Sequence, residues 1–325
     1  MGTEVSLNAQ YTLLELAKRT NRGETLRIAE VLNKKNEIIQ DAVWIEANQT
    51  LSHVDTRRTS LPTGTFRLAN QGVATSTSGT RQITERICRL EDLSDIDEAI
   101  LDLVKDKEGK RQQEDIAHIE GLGQTFVETF FYGNAATNPE RVDGLSVRED
   151  WDALADEYVY GAGGTGDDTT SLWIIEWGPD AVFCVYPQGS AAGLHFEDKG
   201  KQRVEVSTGK FAYMYESQFV QWFGIFVKDP RCVQRIANIE TSGSENTLDD
   251  NDILEAANQL PTMGGSGDAR IYVNRTLRTQ FDILAKDKSN VNYTAETAFG
   301  VAVTRFRGIP IRMAEQIVNT ETAIT

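Results

Sequence analysis

The chain has 325 residues, of which 40% are hydrophobic and 25% charged, and its 49 acidic and 33 basic side chains give a formal net charge of −16. This composition is typical of a soluble globular protein large enough for two or more subdomains, and its acidity argues against broad nucleic-acid binding, which requires clustered Lys and Arg. No apolar run approaches the roughly 18 residues of a membrane span, the polar N-terminus is unlike a signal peptide, and the three widely spaced cysteines indicate reduced thiols in a cytosolic protein.

The first 45 residues combine a polar start with short elements. Residues 1–12 are polar, and we predict that they form a loose arm. Apolar residues at 13–17 and at 28–32 predict two short helices, with a break at the Asn-Arg-Gly sequence of residues 21–23. An extended segment is predicted over residues 38–45.

A polar stretch follows over residues 47–86, where the composition shifts to Thr, Ser, Gln, Arg and Gly with few large apolar side chains. The Pro-Thr-Gly sequence at 62–64 has turn chemistry and predicts a hairpin with arms at 52–60 and 65–68. A hairpin this polar cannot bury a core of its own. We therefore predict that it lies on a neighbouring subunit.

Two helices are predicted next, one over residues 88–106 that is capped near Ser94 or Asp95, and a long one over residues 110–133. Apolar residues recur in the long helix at three- and four-residue steps, which places them on one face; they are Ile116, Ile119, Leu122, Phe126 and Phe130. Gly133 is predicted to end this helix in a left-handed cap conformation. The pattern indicates a helix that lies across a sheet and contributes these five side chains to the core.

The rest of the chain mixes strands and helices. Strands are predicted at 171–177, 181–186, 204–206, 211–215, 218–227, 270–273, 300–306 and 309–313; residues 231–239 suit a helix or a strand; and helices are predicted at 252–260 and 275–286. Because there is no regular βαβ alternation, the pattern favours an α+β fold over a doubly wound sheet.

No catalytic, cofactor-binding or metal-binding constellation is found. Gly161, Gly163 and Gly166 match GxGxxG, but a strand follows them where a nucleotide-binding helix is needed, so a turn is predicted. The three histidines are scattered without the spacing of zinc ligands. An acidic cluster at 249–252 lacks the glycine and glutamate of a calcium loop, and we interpret it as a helix cap. The chain is therefore predicted not to be an enzyme.

Several longer stretches, in this order along the chain, resemble one protein family. They are LLELAKR (13–19), EVLNKKNEIIQDAVWIEAN (30–48), RTSLPTGTFRLANQGV (58–73), IEGLGQTFVETFFYGN (119–134), GGTGDDTTSLWIIEWG (163–178), PQGSAAGLHFEDKG (187–200), VKDPRCVQRIANI (227–239) and GIPIRMAEQI (308–317). Together they resemble the major capsid proteins of tailed bacteriophages of the epsilon15 type, which have the Hong Kong 97-type capsid fold.

The resemblance implies a division of the chain and a function. The implied parts are an N-terminal arm (1–46), an extended loop (47–86), a mainly peripheral domain with a spine helix (87–238) and a mainly axial domain (239–325). Such a protein assembles into pentamers and hexamers of an icosahedral shell that encloses double-stranded DNA without sequence-specific binding. The implied location is the virion after assembly in the host cytoplasm. The implied partners are a scaffolding protein, a cement or decoration protein and a portal; a separate scaffold is expected because no long charged N-terminal extension is found.

One departure from the covalently crosslinked members concerns the extended loop, which in those members carries a lysine that bonds to a neighbouring asparagine. Residues 46–89 contain arginines but no lysine, and a guanidinium cannot act as that nucleophile. We therefore expect non-covalent contacts, in which Arg57, Arg58 and Arg67 pair with carboxylates of neighbouring subunits. An encapsulin-like compartment shell and a nucleotide-binding enzyme that uses residues 161–166 are the alternative functions.

Overall fold

The computed structural model describes residues 36–243, 245–263, 267–286, 293–298 and 301–325, together with the short paired strands β1 (Thr20–Asn21) and β2 (Glu24–Thr25). The helices predicted near residues 13–17 and 28–32 lie outside the described residues. Apart from the N-terminal segment, the chain forms two compact units, one from residues 89–126 and 193–222 and the other from residues 35–88, 127–192 and 223–325.

The first unit contains the longest helix and the longest strands. A strand, β6 (Cys88–Asp97), is followed by the short helix α2 (Glu98–Leu101) and the long helix α3 (Lys107–Tyr132). Strands β10 (Leu194–Ser207) and β11 (Lys210–Val227) form an antiparallel hairpin, and β6 pairs with β11. The long helix is therefore confirmed, and the strands predicted at 204–206, 211–215 and 218–227 lie within this hairpin.

The second unit is built on a seven-stranded sheet of order β14-β15-β16-β13-β8-β12-β7. The strands are β7 (Val159–Gly161), β8 (Thr169–Glu176), β12 (Val233–Glu240), β13 (Ala269–Val273), β14 (Tyr293–Ala298), β15 (Val301–Phe306) and β16 (Ile309–Met313). Helices α4 (Asp250–Gln259) and α5 (Arg275–Lys286) supply buried side chains such as Ile253 and Phe281 to the same apolar core as the sheet. Asp249 caps α4, as predicted, by accepting a hydrogen bond from the Asn251 amide.

Two smaller arrangements complete the second unit. Short helix α1 (Ile38–Asp41) precedes strand β3 (Trp44–Glu46), which pairs in parallel with β9 (Val182–Tyr186). Strands β4 (Ser52–Ser60) and β5 (Gly79–Arg86) form a separate antiparallel hairpin. The extended segment predicted over 38–45 is therefore half helical.

Two predictions of local structure are wrong. Residues 88–97 form a strand, not the start of a helix. Burial alternates along this segment, with Ser94 and Ile96 buried, and β6 pairs with β11. The partner of β4 is β5 and not residues 65–68, so the Pro-Thr-Gly sequence at 62–64 does not join two paired strands.

The end of α3 has a different cause from the one predicted. Gly133 does not have a positive φ angle. A Cβ atom at this position would lie 2.3 Å from the carbonyl oxygen of Val142, and the Gly144 amide donates to the Gly133 carbonyl at 2.8 Å. Glycine is required here for the close approach of two backbone segments.

Candidate functional site

The hairpin of β4 and β5 carries an irregular, exposed connection at residues 61–78, which we call the projecting loop. Its strands pair from Ser52 opposite Arg86 to Ser60 opposite Gly79. Every residue between 61 and 77 is exposed, and the Phe66 side chain is as accessible as in an extended peptide, at 105%. Leu61, Leu68 and Val73 are also exposed. Such a concentration of exposed apolar side chains marks an interaction surface.

The base of the hairpin is held to its own subunit through β4. The Arg57 guanidinium donates to the carbonyl oxygens of Lys228 at 2.9 Å and Val227 at 3.0 Å. The Lys228 ammonium lies 2.9 Å from a carboxylate oxygen of Asp55 and 2.9 Å from one of Asp180. Burial alone would raise the pKa of Asp55, but the Lys228 ammonium and the hydrogen bond from the Thr56 amide together lower that pKa. Asp55 therefore stays ionised at neutral pH.

The β5 side of the base is held in the same way. The Arg148 guanidinium donates to a carboxylate oxygen of Glu85 at 2.7 Å and to the Ile225 carbonyl at 3.0 Å. On β4, the His53 ring lies edge-on to Phe183 and Phe226 with centroid distances of 5.5 and 4.8 Å. Burial lowers the pKa of His53, so this ring is neutral at pH 7. The base of the hairpin, where β4 begins and β5 ends, is thus fixed and partly buried.

The three arginines predicted to contact neighbours have different surroundings. Arg57 uses its donors on carbonyls of its own chain and lies 3.9 Å from Asp150. Arg58 is exposed at the distal end of β4. Arg67 is exposed in the projecting loop, where it donates to the Gln71 carbonyl at 3.1 Å. Pairing of these arginines with neighbouring carboxylates stays a prediction, and Arg58 and Arg67 fit it better than Arg57.

The predicted core face of α3 is correct only in its C-terminal half. Leu122, Phe126 and Phe130 are buried, with at most 5% of the side chain accessible, but Ile116 and Ile119 are 59% and 42% exposed. The corresponding face of the N-terminal half is polar. It contains Arg111, which pairs with Asp198, and His118, whose Nδ1 lies 2.6 Å from Asp92 while its ring stacks on Phe219.

A buried ionic cluster that the sequence did not reveal fixes the C-terminal segment to the seven-stranded sheet. The Arg235 guanidinium donates to Glu321 at 3.0 Å and to the Trp151 carbonyl at 2.8 Å, and it lies over the Trp173 ring. The side chains of Arg235 and Glu321 are only 4% and 7% exposed. The hydroxyls of Ser171 and Tyr132 also donate to the Glu321 carboxylate.

A second ionic cluster fixes residues 36–46, the C-terminal part of the predicted arm. The buried Asp41 carboxylate lies 3.4 Å from Arg270 and 3.3 Å from Arg312, and it accepts a hydrogen bond from the Tyr272 hydroxyl at 3.1 Å. Asn36 also forms a bridge with Ala314. This part of the chain is therefore tied to the second unit.

The glycine-rich segment at 161–166 is a turn that serves the fold. Gly163 and Gly166 have positive φ angles, and a Cβ atom at Gly164 would lie 2.4 Å from the Asn238 carbonyl oxygen. The Gly166 carbonyl accepts a hydrogen bond from the Ala323 amide at 2.8 Å. The C-terminal segment thus lies against the turn, and the next element is strand β8 and not a helix.

The described part of the chain lacks two further kinds of feature. It contains no group of three or more His, Cys, Asp or Glu side chains placed to hold a metal ion. It also contains no helix with the length and apolar character needed to cross a membrane.

The three cysteines are expected to resist alkylation in the folded protein. Cys184 and Cys232 are buried and Cys88 is partly buried. Burial raises the pKa of Cys88 to about 11 and that of Cys232 to about 12, and it raises the pKa of Cys184 further. Because the thiolate is the reactive form, iodoacetamide at pH 8 should label the folded subunit slowly and the urea-unfolded chain at all three sites. Fast labelling of the folded subunit would contradict this burial.

Comparison with solved structures defines the class of protein. The chain is 28% identical to a chain in the structure of bacteriophage epsilon15, with a TM-score of 0.73 and coverage of 98% of both chains. It also matches the capsid of bacteriophage JBD30 with a TM-score of 0.51, at 11% identity, over 95% of this chain and 99% of that one. The fold is therefore that of phage capsid subunits of the Hong Kong 97 type.

The family follows from the sequence. The family model described as major capsid protein GP7 matches residues 20–325, so the chain belongs to this family of major capsid proteins. No curated protein gives a significant match. The resemblance to epsilon15-type capsid proteins is confirmed, and so is the mixed α and β class. The protein is a bacteriophage major capsid protein, present in the virion, and many copies of it form the shell. The encapsulin and nucleotide-enzyme alternatives are not favoured.

Proposed function

We propose that the subunits are held in an icosahedral shell by non-covalent contacts, in which the projecting loop of each subunit lies on a neighbour. The observation that carries this proposal is the exposure of Leu61, Phe66, Leu68 and Val73 on a hairpin whose base is fixed to its own subunit. Those side chains can be buried only by contact with another molecule. The absence of lysine from residues 46–89 supports a contact without an isopeptide bond.

In the proposed shell, the two compact units take different places. We assign the unit of residues 89–126 and 193–222, with most of the long hairpin and residues 107–126 of α3, to the peripheral part of the capsomer. The seven-stranded unit would be the axial part near the centre of pentamers and hexamers. The sequence border proposed at residue 239 falls inside β12, which belongs to this sheet, so we propose discontinuous domains in place of a single border.

The remaining proposals concern partners and activity. The shell would enclose double-stranded DNA without sequence-specific contacts, because the net charge of −16 disfavours tight phosphate binding. Scaffolding, decoration and portal proteins would take part in assembly in the host cytoplasm. We propose no enzymatic role, in keeping with the structural role of the family.

Electron microscopy and denaturing gels test this proposal together. The protein is examined by negative stain alone and with the products of neighbouring phage genes, and mature particles are then boiled in detergent. We expect closed shells or capsomers, and a single monomer band from the mature particles. A ladder of covalent oligomers would contradict the non-covalent contacts. A dispersed monomer under every condition would contradict shell formation by these components.

Variants of Arg57 and Arg58 distinguish an effect on the stability of the hairpin base from an effect on contacts between subunits. Arg57→Gln removes donors from two carbonyls and should lower the free energy of unfolding of the subunit by roughly 1.5–3 kcal/mol, the usual value for hydrogen bonds to a charged group. Arg58→Glu changes an exposed side chain and should alter it by less than about 0.5 kcal/mol. Urea unfolding measures both.

The same two residues are then tested for assembly. Arg57→Glu combined with Arg58→Glu should leave a folded subunit, although a less stable one, that does not close shells. Arg58→Glu alone should lower the particle yield without loss of stability. Normal particles from the folded double variant would refute the role of the hairpin between subunits.

A further inference from the structure

Asp115 lies on the polar side of α3 and has a carboxylate that is only half satisfied. The Ser217 hydroxyl of β11 donates to its Oδ2 at 3.4 Å, and the Ser94 side chain of β6 interacts with the same carboxylate. The other oxygen, Oδ1, is shielded from solvent and accepts no hydrogen bond within the described part of the chain. Buried polar atoms are rarely left in this state, because an unsatisfied group costs free energy.

The guanidinium of Arg111, one turn earlier on α3, does not neutralise Asp115 directly. It donates to the two carboxylate oxygens of Asp198, at 2.6 and 3.1 Å, and to the Ser217 hydroxyl at 3.2 Å. Ser217 in turn donates to Asp115. Arg111 thus acts on Asp115 across an intervening hydroxyl, and its two-pronged ion pair is made with a different carboxylate.

Further titratable groups come from β6 and from the next turn of α3. His118 follows Asp115 by three residues, and its Nδ1 lies 2.6 Å from a carboxylate oxygen of Asp92. Asp95 shares the unusual feature of Asp115, because its Oδ1 is also shielded from solvent and accepts no hydrogen bond from the described residues. The charge that His118 carries when protonated acts on both Asp95 and Asp115.

These groups, which we call the aspartate cluster, carry more negative than positive charge. The members are Asp92, Asp95, Arg111, Asp115, His118 and Asp198, so a neutral His118 leaves four carboxylates against one guanidinium. Burial raises the pKa of Asp115 and of Asp95 above the ordinary value of 3.8. Ser94, Arg111, Ser217 and His118 oppose the rise at Asp115, and His118 opposes it at Asp95. Asp198 differs, because hydrogen bonds from Arg111 lower its pKa.

The direction of these shifts sets the direction of the pH response. A carboxyl group with a higher pKa in the folded than in the unfolded protein binds its proton more tightly in the folded state. Its contribution to stability is complete below the ordinary pKa of 3.8 and is lost as the pH rises through the raised pKa. Asp115 and Asp95 should therefore favour folding more in weakly acidic solution than at neutral pH.

We propose that Asp115 and Asp95 form a proton-binding site that acts as a pH-dependent clamp within the first unit. A proton taken up there reduces the excess negative charge between α3 and β6, so the helix and the strand hold together more firmly in weak acid. Acid usually loosens a folded protein, because carboxylates that are paired in the native state become neutral. The first unit would respond in the opposite direction.

A metal cation could in principle neutralise the same charge. A stable site needs several oxygen ligands that converge on one point. The described part of the chain contains no group of three or more His, Cys, Asp or Glu side chains placed in that way. A proton is therefore the ligand that fits the aspartate cluster.

Hydrogen exchange of the unassembled full-length subunit at about pH 5 and about pH 7.5 tests the clamp, after correction for the intrinsic pH dependence of exchange. We expect amides of residues 88–126 to be several-fold better protected at the lower pH. Asp115→Asn combined with Asp95→Asn mimics the protonated pair, so this variant should show the higher protection at both pH values. Each single variant should lose part of the pH dependence.

Asp102→Asn is the matched control for these substitutions. Asp102 belongs to the same unit, but its side chain is 57% exposed and pairs with Lys107 on the surface. This variant should keep the full pH dependence. Equal protection of the unsubstituted subunit at the two pH values would overturn the proposal, and so would a pH dependence that survives in the Asp95 and Asp115 double variant.

His118→Gln separates the proposed site from the His118–Asp92 pair. It removes a positive charge that opposes protonation of the two aspartates, so the midpoint of the pH response should move to higher pH. Complete loss of the pH response in this variant would assign it to His118 and Asp92 and would overturn the proposal. None of these outcomes depends on shell formation, because the subunit is measured before assembly.

Discussion

Replacing Arg235 with methionine is expected to lower the free energy of unfolding of the subunit by roughly 3–5 kcal/mol, the usual cost of leaving one charge of a buried pair alone. The Glu321 carboxylate would lose its cationic partner while only 7% exposed. Its remaining donors would be the hydroxyls of Ser171 and Tyr132. Two neutral hydroxyls cannot compensate a desolvated carboxylate.

The matched control removes both charges. Arg235→Met combined with Glu321→Leu should recover much of the lost stability, because apolar side chains of similar volume often replace a buried ion pair at little cost. Urea unfolding of the two single variants and the double variant gives the coupling energy. A double variant no more stable than Arg235→Met alone would show that the pair acts through separate neighbours.

Loss of the Arg235–Glu321 pair should loosen the C-terminal segment, because Glu321 lies in that segment. The Glu321 amide donates to the Thr169 carbonyl at 3.0 Å, and its carbonyl accepts from the Thr169 hydroxyl, so the backbone of the C-terminal segment is paired with the first residue of β8. We expect Arg235→Met to increase hydrogen exchange at residues 318–325 before the sheet itself opens.

The sequence indicated the central elements of the fold because their patterns are local. Strand β8 is an uninterrupted buried run and α5 is amphipathic, so each was predicted close to its observed limits. The Arg235–Glu321 pair joins residues 86 positions apart. No spacing rule connects two such charges in a chain with 49 acidic residues, and only the fold brings them together.

The projecting loop shows a different limit of sequence analysis. Its polarity correctly indicated an element without a core, but turn chemistry at 62–64 suggested a hairpin with arms of four and nine residues. The observed partner of β4 begins at Gly79, and a Cβ atom there would meet the Ser60 hydroxyl at 2.6 Å. Turn signals do not fix the length of a loop whose side chains are not packed on their own subunit.

The long helix was located correctly, but its face was wrong in the N-terminal half because two faces have helical spacing. Ile116, Ile119 and Leu122 recur at steps of three residues, and Arg111, Asp115, His118 and Leu122 recur at steps of four, three and four. Hydrophobicity selects the first set. The structure places the second set toward strands β6 and β10. There, Asp92 pairs with His118 and Asp198 pairs with Arg111.

Two alanine substitutions on α3 test this division of the helix. Phe126→Ala should lower the free energy of unfolding by roughly 3–5 kcal/mol, because it empties a fully buried aromatic site. Ile116→Ala, ten residues earlier and 59% exposed, should change it by less than about 0.5 kcal/mol. Both are measured by urea unfolding of the unassembled subunit.

Assembly should reverse the contrast between these two substitutions. If Ile116 is buried against a second copy in the shell, Ile116→Ala will lower the particle yield although the subunit is as stable as the unsubstituted protein. The reason is that its apolar area would be buried only in the assembled shell. Phe126→Ala should lower the yield only in proportion to the fraction of subunits that unfold, and a lower temperature should restore it. A large loss of subunit stability from Ile116→Ala would instead place Ile116 in the core, as its spacing first suggested.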